Sequence, residues 1–157
     1  MGVPDIRIAT VGDVDRVTAV INAAYIVERF FIDGDRTSTV TVRAMMTRGV
    51  FLAASDRGAI DACVYVELRG ARAYFGMLAV DPARQGRGLG RALVDAAEDY
   101  ARTAGCRDMD IRVVNLRTEL PPFYHKLGYR EIGTEPGSDP RQNAPFHFVT
   151  MSKPLGP

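Results

Sequence analysis

Residues 79–94, AVDPARQGRGLGRALV, constrain the fold of this 157-residue chain more than any other stretch. A strand-like run ends at Val80, glycines follow at 86, 88 and 90, and a helical pattern begins near Leu89. Glycine weakens helix interiors, so three glycines at a helix start indicate that the backbone comes close to another group. Free backbone N–H groups and the helix dipole make such a turn suitable for an anion. The stretch predicts a phosphate-binding loop, and a plain tight strand-to-helix turn is the alternative.

Two common phosphate-binding motifs do not fit this loop. A Walker loop needs Lys followed by Ser or Thr after the last glycine, and no such pair is present. A dinucleotide-binding G-x-G-x-x-G motif starting at Gly86 would need glycine at position 91, which is Arg91. The loop therefore belongs to neither class.

Size and composition bound the class of protein. The length is that of about one domain, and no repeat or linker divides the chain, so we predict a single domain over residues 1–157. A formal net charge of only +1 argues against a nucleic-acid or anionic-membrane partner. Cys63 and Cys106 match no metal-ligand spacing and are expected to be reduced core thiols without a metal. No apolar run approaches the ~18 residues of a membrane span, so a cytoplasmic protein is expected.

Hydrophobic periodicity predicts an α+β fold with the order β-α-α-β-β-β-α-β-α-β-β. A capping box of Thr10 and Asp13 is expected before the first helix. The second helix is predicted over residues 39–48, and the third begins near Leu89 and ends at Gly105. A short fourth helix is expected in ELPPFYHKLG. The predicted strands are residues 6–9, 50–54, 62–68, 73–80, 109–114, 129–132 and 146–151.

The order and spacing of these motifs resemble the GNAT superfamily of acyl-CoA N-acyltransferases. QGRGLG fits its Q/R-x-x-G-x-G/A signature, read as Gln85, Gly88 and Gly90. GMLAVDP is similar to the fourth strand of the family, and VVN followed by FYHKLGYRE is similar to its fifth strand and tyrosine helix. The resemblance covers most of the chain from residue 50 onward. It implies a mixed, mostly antiparallel central sheet of about six to seven strands, flanked by about four helices.

The resemblance also implies a site for acetyl-CoA, the acyl-donor cosubstrate. The loop amides would hold the coenzyme A pyrophosphate, the backbone of the fourth strand would pair with pantetheine, and Asn115 would lie beside the pantetheine arm. Arg84, Arg87 and Arg91 are candidates to neutralise phosphates, but solvated surface arginines explain them equally well. The predicted donor-binding residues are Leu78, Ala79, Val80, Gln85, Gly86, Arg87, Gly88, Leu89, Gly90, Arg91 and Asn115.

Acylation of an amine needs a neutral amine, a polarised carbonyl and a proton for the departing thiolate. Tyr124 is predicted to be the general acid, because a phenol can hydrogen-bond to and protonate a forming thiolate. Its alternative role is packing, although Phe123, Leu120 and Leu127 share a helical face from which Tyr124 is expected to turn away. Backbone N–H groups near Leu78 and Ala79 are expected to polarise the carbonyl. Glu28 is the first candidate for the base; a water chain is the alternative, and the further candidates are Asp33, Asp35, Glu119 and His147.

The acceptor pocket is predicted in the first-helix region and the fourth strand. Tyr25, Phe31, Arg36 and Tyr74 are the predicted substrate contacts, with Glu28 and Phe30 nearby. The acidic and aromatic residues suit a cationic amine on an apolar or planar body. Arg36 instead favours a carboxylate, and hence a zwitterionic acceptor. Both alternatives predict a small-molecule amine as the partner, and a homodimer is possible.

These observations predict an N-acetyltransferase that moves acetyl from acetyl-CoA to a primary amine by direct transfer in a ternary complex. A covalent enzyme intermediate is disfavoured because neither cysteine lies near the expected thioester position. Three alternatives stay open. They are a non-catalytic acyl-CoA-binding or sensory module, a protein or peptide N-acetyltransferase, and an unrelated α+β phosphate-binding interaction domain.

Overall fold

A computed structural model describes residues 4–56 and 58–156, and the elements follow the predicted order. Within these ranges no helix is both long enough and apolar enough to cross a lipid bilayer. The strands and helices are β1 (Asp5–Ile8), α1 (Val14–Ala24), α2 (Thr39–Met46), β2 (Val50–Ser55), β3 (Ile60–Arg69), β4 (Arg72–Val80), α3 (Leu89–Thr103), β5 (Asp108–Val114), α4 (Leu120–Lys126), β6 (Arg130–Pro136) and β7 (His147–Pro154).

The strands form one seven-stranded sheet in the order β1-β2-β3-β4-β5-β7-β6. Only β4 and β5 pair in parallel, and all other neighbours are antiparallel. This confirms the predicted fold class. The β6 strand is longer than predicted because it is an exposed edge strand, held by its pairing with β7 rather than by burial. Its sequence therefore lacks the apolar alternation that marks a half-buried strand.

Helices cover both faces of the sheet. On one face α1 packs through Val14, Val17 and Ile21, whose helical spacing gives it an apolar stripe. On the other face α3 packs in the same way, and its Leu93 and Ala97 are fully buried. We call these the α1/α2 face and the α3/α4 face. Each face has its own hydrophobic core, so a path between them has to cross the sheet.

The sheet opens between β4 and β5. The two strands pair only from Arg72 with Asp108 to Tyr74 with Asp110, and the ladder ends there. In the same part of β4 the register with β3 shifts, so that two β4 residues, Met77 and Leu78, lie opposite one β3 residue. This β-bulge holds Met77 at φ 53°, a conformation that costs a non-glycine residue about 1–3 kcal/mol. The bulge and the separated strands leave a gap in the middle of the sheet.

Candidate active site

A cavity of about 420 Å³ lies between the start of α3 and α4, mostly lined from the α3/α4 face and bordered by Ala24 and Tyr25 at the end of α1. We call it the first cavity. It combines apolar walls from β4 and α4 with the polar loop before α3. Eight of the eleven residues predicted to bind the donor line it: Leu78, Val80, Gln85, Gly86, Gly88, Leu89, Gly90 and Arg91. Ala79 is instead buried in the core of the α1/α2 face, and neither Arg87 nor Asn115 lines this cavity.

The loop glycines serve two different purposes. Gly86 and Gly88 have φ values of 80° and 77°, the left-handed conformation in which a Cβ is strained, and Gly88 directly precedes α3. Gly90 lies in the first turn of α3 without a positive φ, and a Cβ there would only reach van der Waals contact with Phe123 and Val80, at 3.9 Å each. Gly86 and Gly88 therefore allow the backbone conformation of the loop, whereas Gly90 leaves the cavity wall without a side chain at that position.

The three arginines of the loop region differ in their surroundings. Arg84 Nε lies 3.7 Å from Asp61 Oδ1, and Arg87 Nη1 lies 3.8 Å from Asp56 Oδ2. Arg91 is exposed and forms no ion pair with any residue that the structure describes. Arg84, Arg91 and Arg117 line the first cavity. Arg117 is paired with Glu28 and Glu119, so Arg84 and Arg91 are the positive charges of the loop region that can meet an anion there.

Tyr124 contributes to both the core and the cavity. Its ring is only 7% exposed and packs 6.0 Å from the ring of Phe75 and 5.9 Å from that of Tyr129. The Tyr124 hydroxyl forms no hydrogen bond within the described ranges, and Tyr124 lines the first cavity. Burial, and then the nearby Tyr25 phenol, raise the Tyr124 pKa well above its usual value of 10, while Arg117 opposes the shift. The phenol is therefore a neutral O–H donor at physiological pH.

The expected orientation of α4 was wrong in one respect. Tyr124 does not turn away from the apolar face of the helix, because it is the residue by which α4 enters the core. Leu120 and Leu127 pack on the same side, whereas Phe123 is 37% exposed and lies against the first cavity. The spacing of 120, 124 and 127 also fits one helical face, so periodicity alone allowed either assignment.

The gap between β4 and β5 contains a narrow space of about 70 Å³, which we call the passage. It shares Tyr25, Leu78 and Tyr124 with the first cavity. On its other side it shares Tyr74 and Met77 with a larger cavity of about 680 Å³, which lies on the α1/α2 face and is called the second cavity. The three spaces follow one another through the sheet. The passage therefore adjoins both cavities.

The predicted acceptor residues are divided between this path and the core. Tyr25 lines the passage and the first cavity, and Arg36 and Tyr74 line the passage and the second cavity. Phe31 does not line any of them. It is fully buried and packs on Phe146, with 5.5 Å between ring centroids, so its prediction as a substrate contact gains no support from the structure. In the segment FFI, residues 30–32, the fold buries Phe31 and leaves Phe30 exposed. The difference depends on packing against Phe146 and Phe148 around the start of β7, which the local sequence does not reveal.

Glu28 is paired with an arginine that the sequence did not single out. Its Oε2 accepts a hydrogen bond from Arg117 Nη1 at 2.8 Å, and Arg117 Nε donates to Glu119 at 3.0 Å. Glu28 is buried and lines the passage. The other candidate bases, Asp33, Asp35, Glu119 and His147, line neither the passage nor the two cavities. Glu28 is therefore the only predicted base that reaches the path through the sheet.

Asn115 holds two strands together. Its backbone N–H donates to the His147 carbonyl at 2.9 Å, and its side-chain oxygen accepts from the His147 N–H at 2.8 Å. These bonds join the end of β5 to the start of β7. Asn115 lines neither the passage nor the two cavities, so its predicted place beside the pantetheine arm gains no support from the structure.

The described residues contain no group of three or more His, Cys, Asp and Glu side chains arranged to hold a metal ion.

Comparison with known proteins agrees with this geometry. The family model of the GNAT acetyltransferase domain matches residues 47–131, just over half of the chain, and the chain belongs to this family. The ribosomal-protein-S18-alanine N-acetyltransferase from Escherichia coli is a solved structure with the same fold. It has a TM-score of 0.83 and 18% identity, and the match covers 99% of this chain and 96% of that one.

Two further relatives are similar to this chain. The phosphinothricin acetyltransferase from Sinorhizobium meliloti, solved in complex with acetyl-CoA, has a TM-score of 0.78 and 17% identity, over 98% of this chain and 89% of that one. A mycothiol acetyltransferase from Propionibacterium freudenreichii is 32% identical over 68 residues, which is 43% of this chain and 22% of that protein. The matched segment thus spans about a fifth of that relative.

Proposed function

We propose that this protein transfers the acetyl group of acetyl-CoA directly to the primary amine of a small molecule. The observation that carries the proposal is the passage between β4 and β5, which joins a cavity with an anion-suited loop to a separate cavity on the opposite face. In the reaction the amine nitrogen bonds to the thioester carbonyl carbon, the C–S bond breaks, and the sulfur gains a proton as the nitrogen loses one.

The first cavity fits coenzyme A on both its polar and apolar sides. The amides at the start of α3, together with Arg84 and Arg91, present N–H donors and positive charge suited to a pyrophosphate. Leu78, Val80 and Phe123 provide apolar contact for a pantetheine chain. The side of β4 that faces β5 lacks a strand partner beyond Tyr74. Its backbone groups are available to pair with the pantetheine amides and to donate to the thioester carbonyl oxygen.

Tyr124 lines both the first cavity and the passage, which supports a role for its hydroxyl at the sulfur. Its raised pKa keeps the proton on the phenol until the C–S bond begins to break. The same raised pKa disfavours a free tyrosinate. We therefore expect Tyr124 to give its proton to sulfur only as it regains one that originates from the amine, with the nearby positive charge of Arg117 easing the transfer.

Glu28 is suited to hold the amine. Its Oε2 is engaged by Arg117, whereas its Oε1 forms no hydrogen bond with the described residues. This free oxygen can accept a hydrogen bond from the amine as it enters the passage. We propose Glu28, alone or through a water molecule, as the first acceptor of the amine proton.

The buried cysteines support direct transfer over a covalent enzyme intermediate. Cys63 is fully buried, and burial raises its pKa to about 12. A thiol in that state is a poor nucleophile at neutral pH.

The test is a thiol-release assay with acetyl-CoA against amines, amino acids, polyamines, aminoglycosides and peptide N-termini. On the best acceptor we expect Tyr124→Phe to lower kcat by about 10²- to 10⁴-fold, because the general acid is lost, while the Kd of acetyl-CoA stays the same. Tyr100→Phe is the matched control, since Tyr100 lies on α3 outside the passage and the two cavities.

Each alternative makes a different forecast for this assay. A non-catalytic acyl-CoA-binding module binds acetyl-CoA but releases no thiol with any acceptor. A peptide N-acetyltransferase turns over only the peptides. Full activity of Tyr124→Phe would remove Tyr124 from the acid role while leaving acetyl transfer itself intact.

A further inference from the structure

The path through the sheet carries two arginines that form no ion pair within 4.0 Å with any residue that the structure describes. We propose that the acceptor is a small amine that bears an oxyanion, either a carboxylate or a phosphonate, a few bonds from its nitrogen, and that Arg36 and Arg112 bind this oxyanion. The inference rests on the proposed function and specifies its substrate class. Arg36 precedes α2 and Arg112 lies on β5, and both line the passage and the second cavity.

Glu67 and Asp110, two of the three carboxylates in the described ranges that line the second cavity, are already paired. Glu67 accepts from Arg69 at 2.6 Å and lies 3.8 Å from Arg48. Asp110 is bonded by Arg72, a bidentate contact at 2.6 and 2.7 Å. Glu135 also lines the second cavity, but it does not reach the passage. Arg36 and Arg112 are thus the arginines that line the second cavity and the passage without being paired to Glu67 or Asp110.

Arg36 and Arg112 have no carboxylate oxygen within 4.0 Å among residues 4–56 and 58–156. Each is instead stacked on an aromatic ring: Arg36 lies 5.5 Å from the Tyr25 ring centroid and Arg112 lies 4.3 Å from that of Phe148. Stacking orients a guanidinium while leaving its in-plane N–H groups free. Asp139 also acts electrostatically with Arg36, but its carboxylate is hydrogen-bonded to Arg141. The free N–H groups match a bidentate oxyanion.

The opposite charge lies on the same passage. Among the described residues, Glu28, with its free Oε1, is the only carboxylate that lines it. A zwitterionic acceptor would therefore place its ammonium toward Glu28 and Tyr124 and its oxyanion toward Arg36 and Arg112. The passage of about 70 Å³ admits the amine end, and the cavity of about 680 Å³ receives the rest of the molecule.

A peptide N-terminus fits this charge arrangement less well. The α-carboxylate of its first residue is part of an amide, so the two arginines would face a neutral carbonyl. A site that leaves donors without their partner discriminates against such a ligand.

The inference is tested with acceptors that differ only in the anion. The probes are glycine, L-methionine and L-phenylalanine, each compared with its amide and with the amine that lacks the carboxylate. 2-Aminoethylphosphonate and the tripeptide Ala-Ala-Ala complete the set. We expect at least one of the three amino acids to exceed its own amide and its own carboxylate-free amine in kcat/KM by about tenfold or more, or 2-aminoethylphosphonate to exceed all of the amides and amines by that factor. Tenfold is the effect of one charged hydrogen-bonded contact.

The arginines are then varied on the best acceptor. Arg36→Gln and Arg112→Gln are each expected to raise KM by about ten- to hundredfold for the anionic acceptor, with little change for its amide. Arg43→Gln removes one positive charge from α2 outside the passage and both cavities, and it serves as the control. A matching loss for the amide would show that the variants damage the fold, and would overturn the role of the arginines.

The possible failures are distinguishable. Equal or better turnover of amides and simple amines overturns the anionic acceptor and leaves acetyl transfer standing. Turnover of the tripeptide alone overturns it in favour of a peptide substrate. Absence of thiol release with every probe contradicts the proposed function.

Calorimetry with N-acetyl-L-phenylalanine then tests the oxyanion site without turnover. Binding to the wild type that is lost in Arg36→Gln and Arg112→Gln supports the site. Absence of binding to the wild type overturns it.

Discussion

Gly88 has a left-handed backbone conformation and also lines the first cavity. It sits at φ 77° directly before α3, with nothing within 4 Å of where a Cβ would be. Gly88→Ala is expected to destabilise the fold by about 1–2 kcal/mol, because a left-handed residue with a side chain is strained. It is also expected to weaken coenzyme A binding by about tenfold, equivalent to 1.4 kcal/mol, because any relaxation turns the loop amides. Denaturation and calorimetry measure the two effects.

Gly105 provides the control for strain alone. It has φ 88° at the far end of α3, again with no atom within 4 Å of a Cβ. Gly105→Ala should cost similar stability without changing coenzyme A affinity. If Gly88→Ala binds coenzyme A as tightly as Gly105→Ala does, the loop does not bind the pyrophosphate.

At the scale of elements, the entry into α1 depends on one carboxylate. Asp13 accepts from the Thr10 N–H at 2.7 Å, as the predicted capping box requires, and from Arg7 at 2.8 Å. Asp13→Ala is expected to lower the free energy of unfolding by about 1–2 kcal/mol at pH 7, as for other lost caps. Asp15→Ala, two residues further along, is the control because Asp15 makes no side-chain hydrogen bond or ion pair in the described ranges.

The same carboxylate predicts a pH dependence. The Arg7 hydrogen bond and the Thr10 N–H lower the Asp13 pKa well below its ordinary value of 3.8. A lowered folded-state pKa contributes stability above the ordinary pKa, and that contribution is lost as the pH falls toward the folded-state value. The stability difference between wild type and Asp13→Ala should therefore shrink as the pH falls from about 5 to about 2. A constant difference over that range would contradict the assigned contacts.

Elements that form because of neighbouring residues in the sequence could be predicted. Features that depend on pairing with another strand could not. The α3 stripe and the loop before it are contiguous in sequence, so periodicity and glycine placement located both. The extent of β6 depends on β7, and the bulge at Met77 depends on the register with β3. Nothing in the residues themselves requires Met77 to adopt a left-handed conformation.

Across the whole molecule, the candidate site is assembled from distant segments. Glu28 and Arg117 pair across 89 positions, and Arg112 reaches the passage from the middle of the sheet. No local pattern marks such pairs, which explains why the sequence predicted the loop and Tyr124 but singled out neither Arg112 nor Arg117. The single-domain assignment and the possible homodimer stay predictions.

The path through the sheet makes a prediction about simultaneous binding. Coenzyme A and the N-acetylated product would occupy opposite cavities, so saturating product should leave the Kd of coenzyme A unchanged within about twofold. Acetyl-CoA should bind at least about tenfold more weakly under the same conditions, because two acetyl groups would compete for a passage of about 70 Å³. Calorimetric titrations with and without product measure both constants. Equal weakening of both ligands would place them in one shared cavity.

Separate openings on opposite faces also determine where selective inhibition is possible. Under the proposed function, a compound that fills the first cavity would imitate acetyl-CoA, which other acetyltransferases bind as well. A compound that closes the second cavity has to complement Arg36, Arg112 and the aromatic rings beneath them. A drug-like molecule selective for this protein should therefore place an anionic group in the second cavity, near Arg36 and Arg112, and leave the first cavity empty.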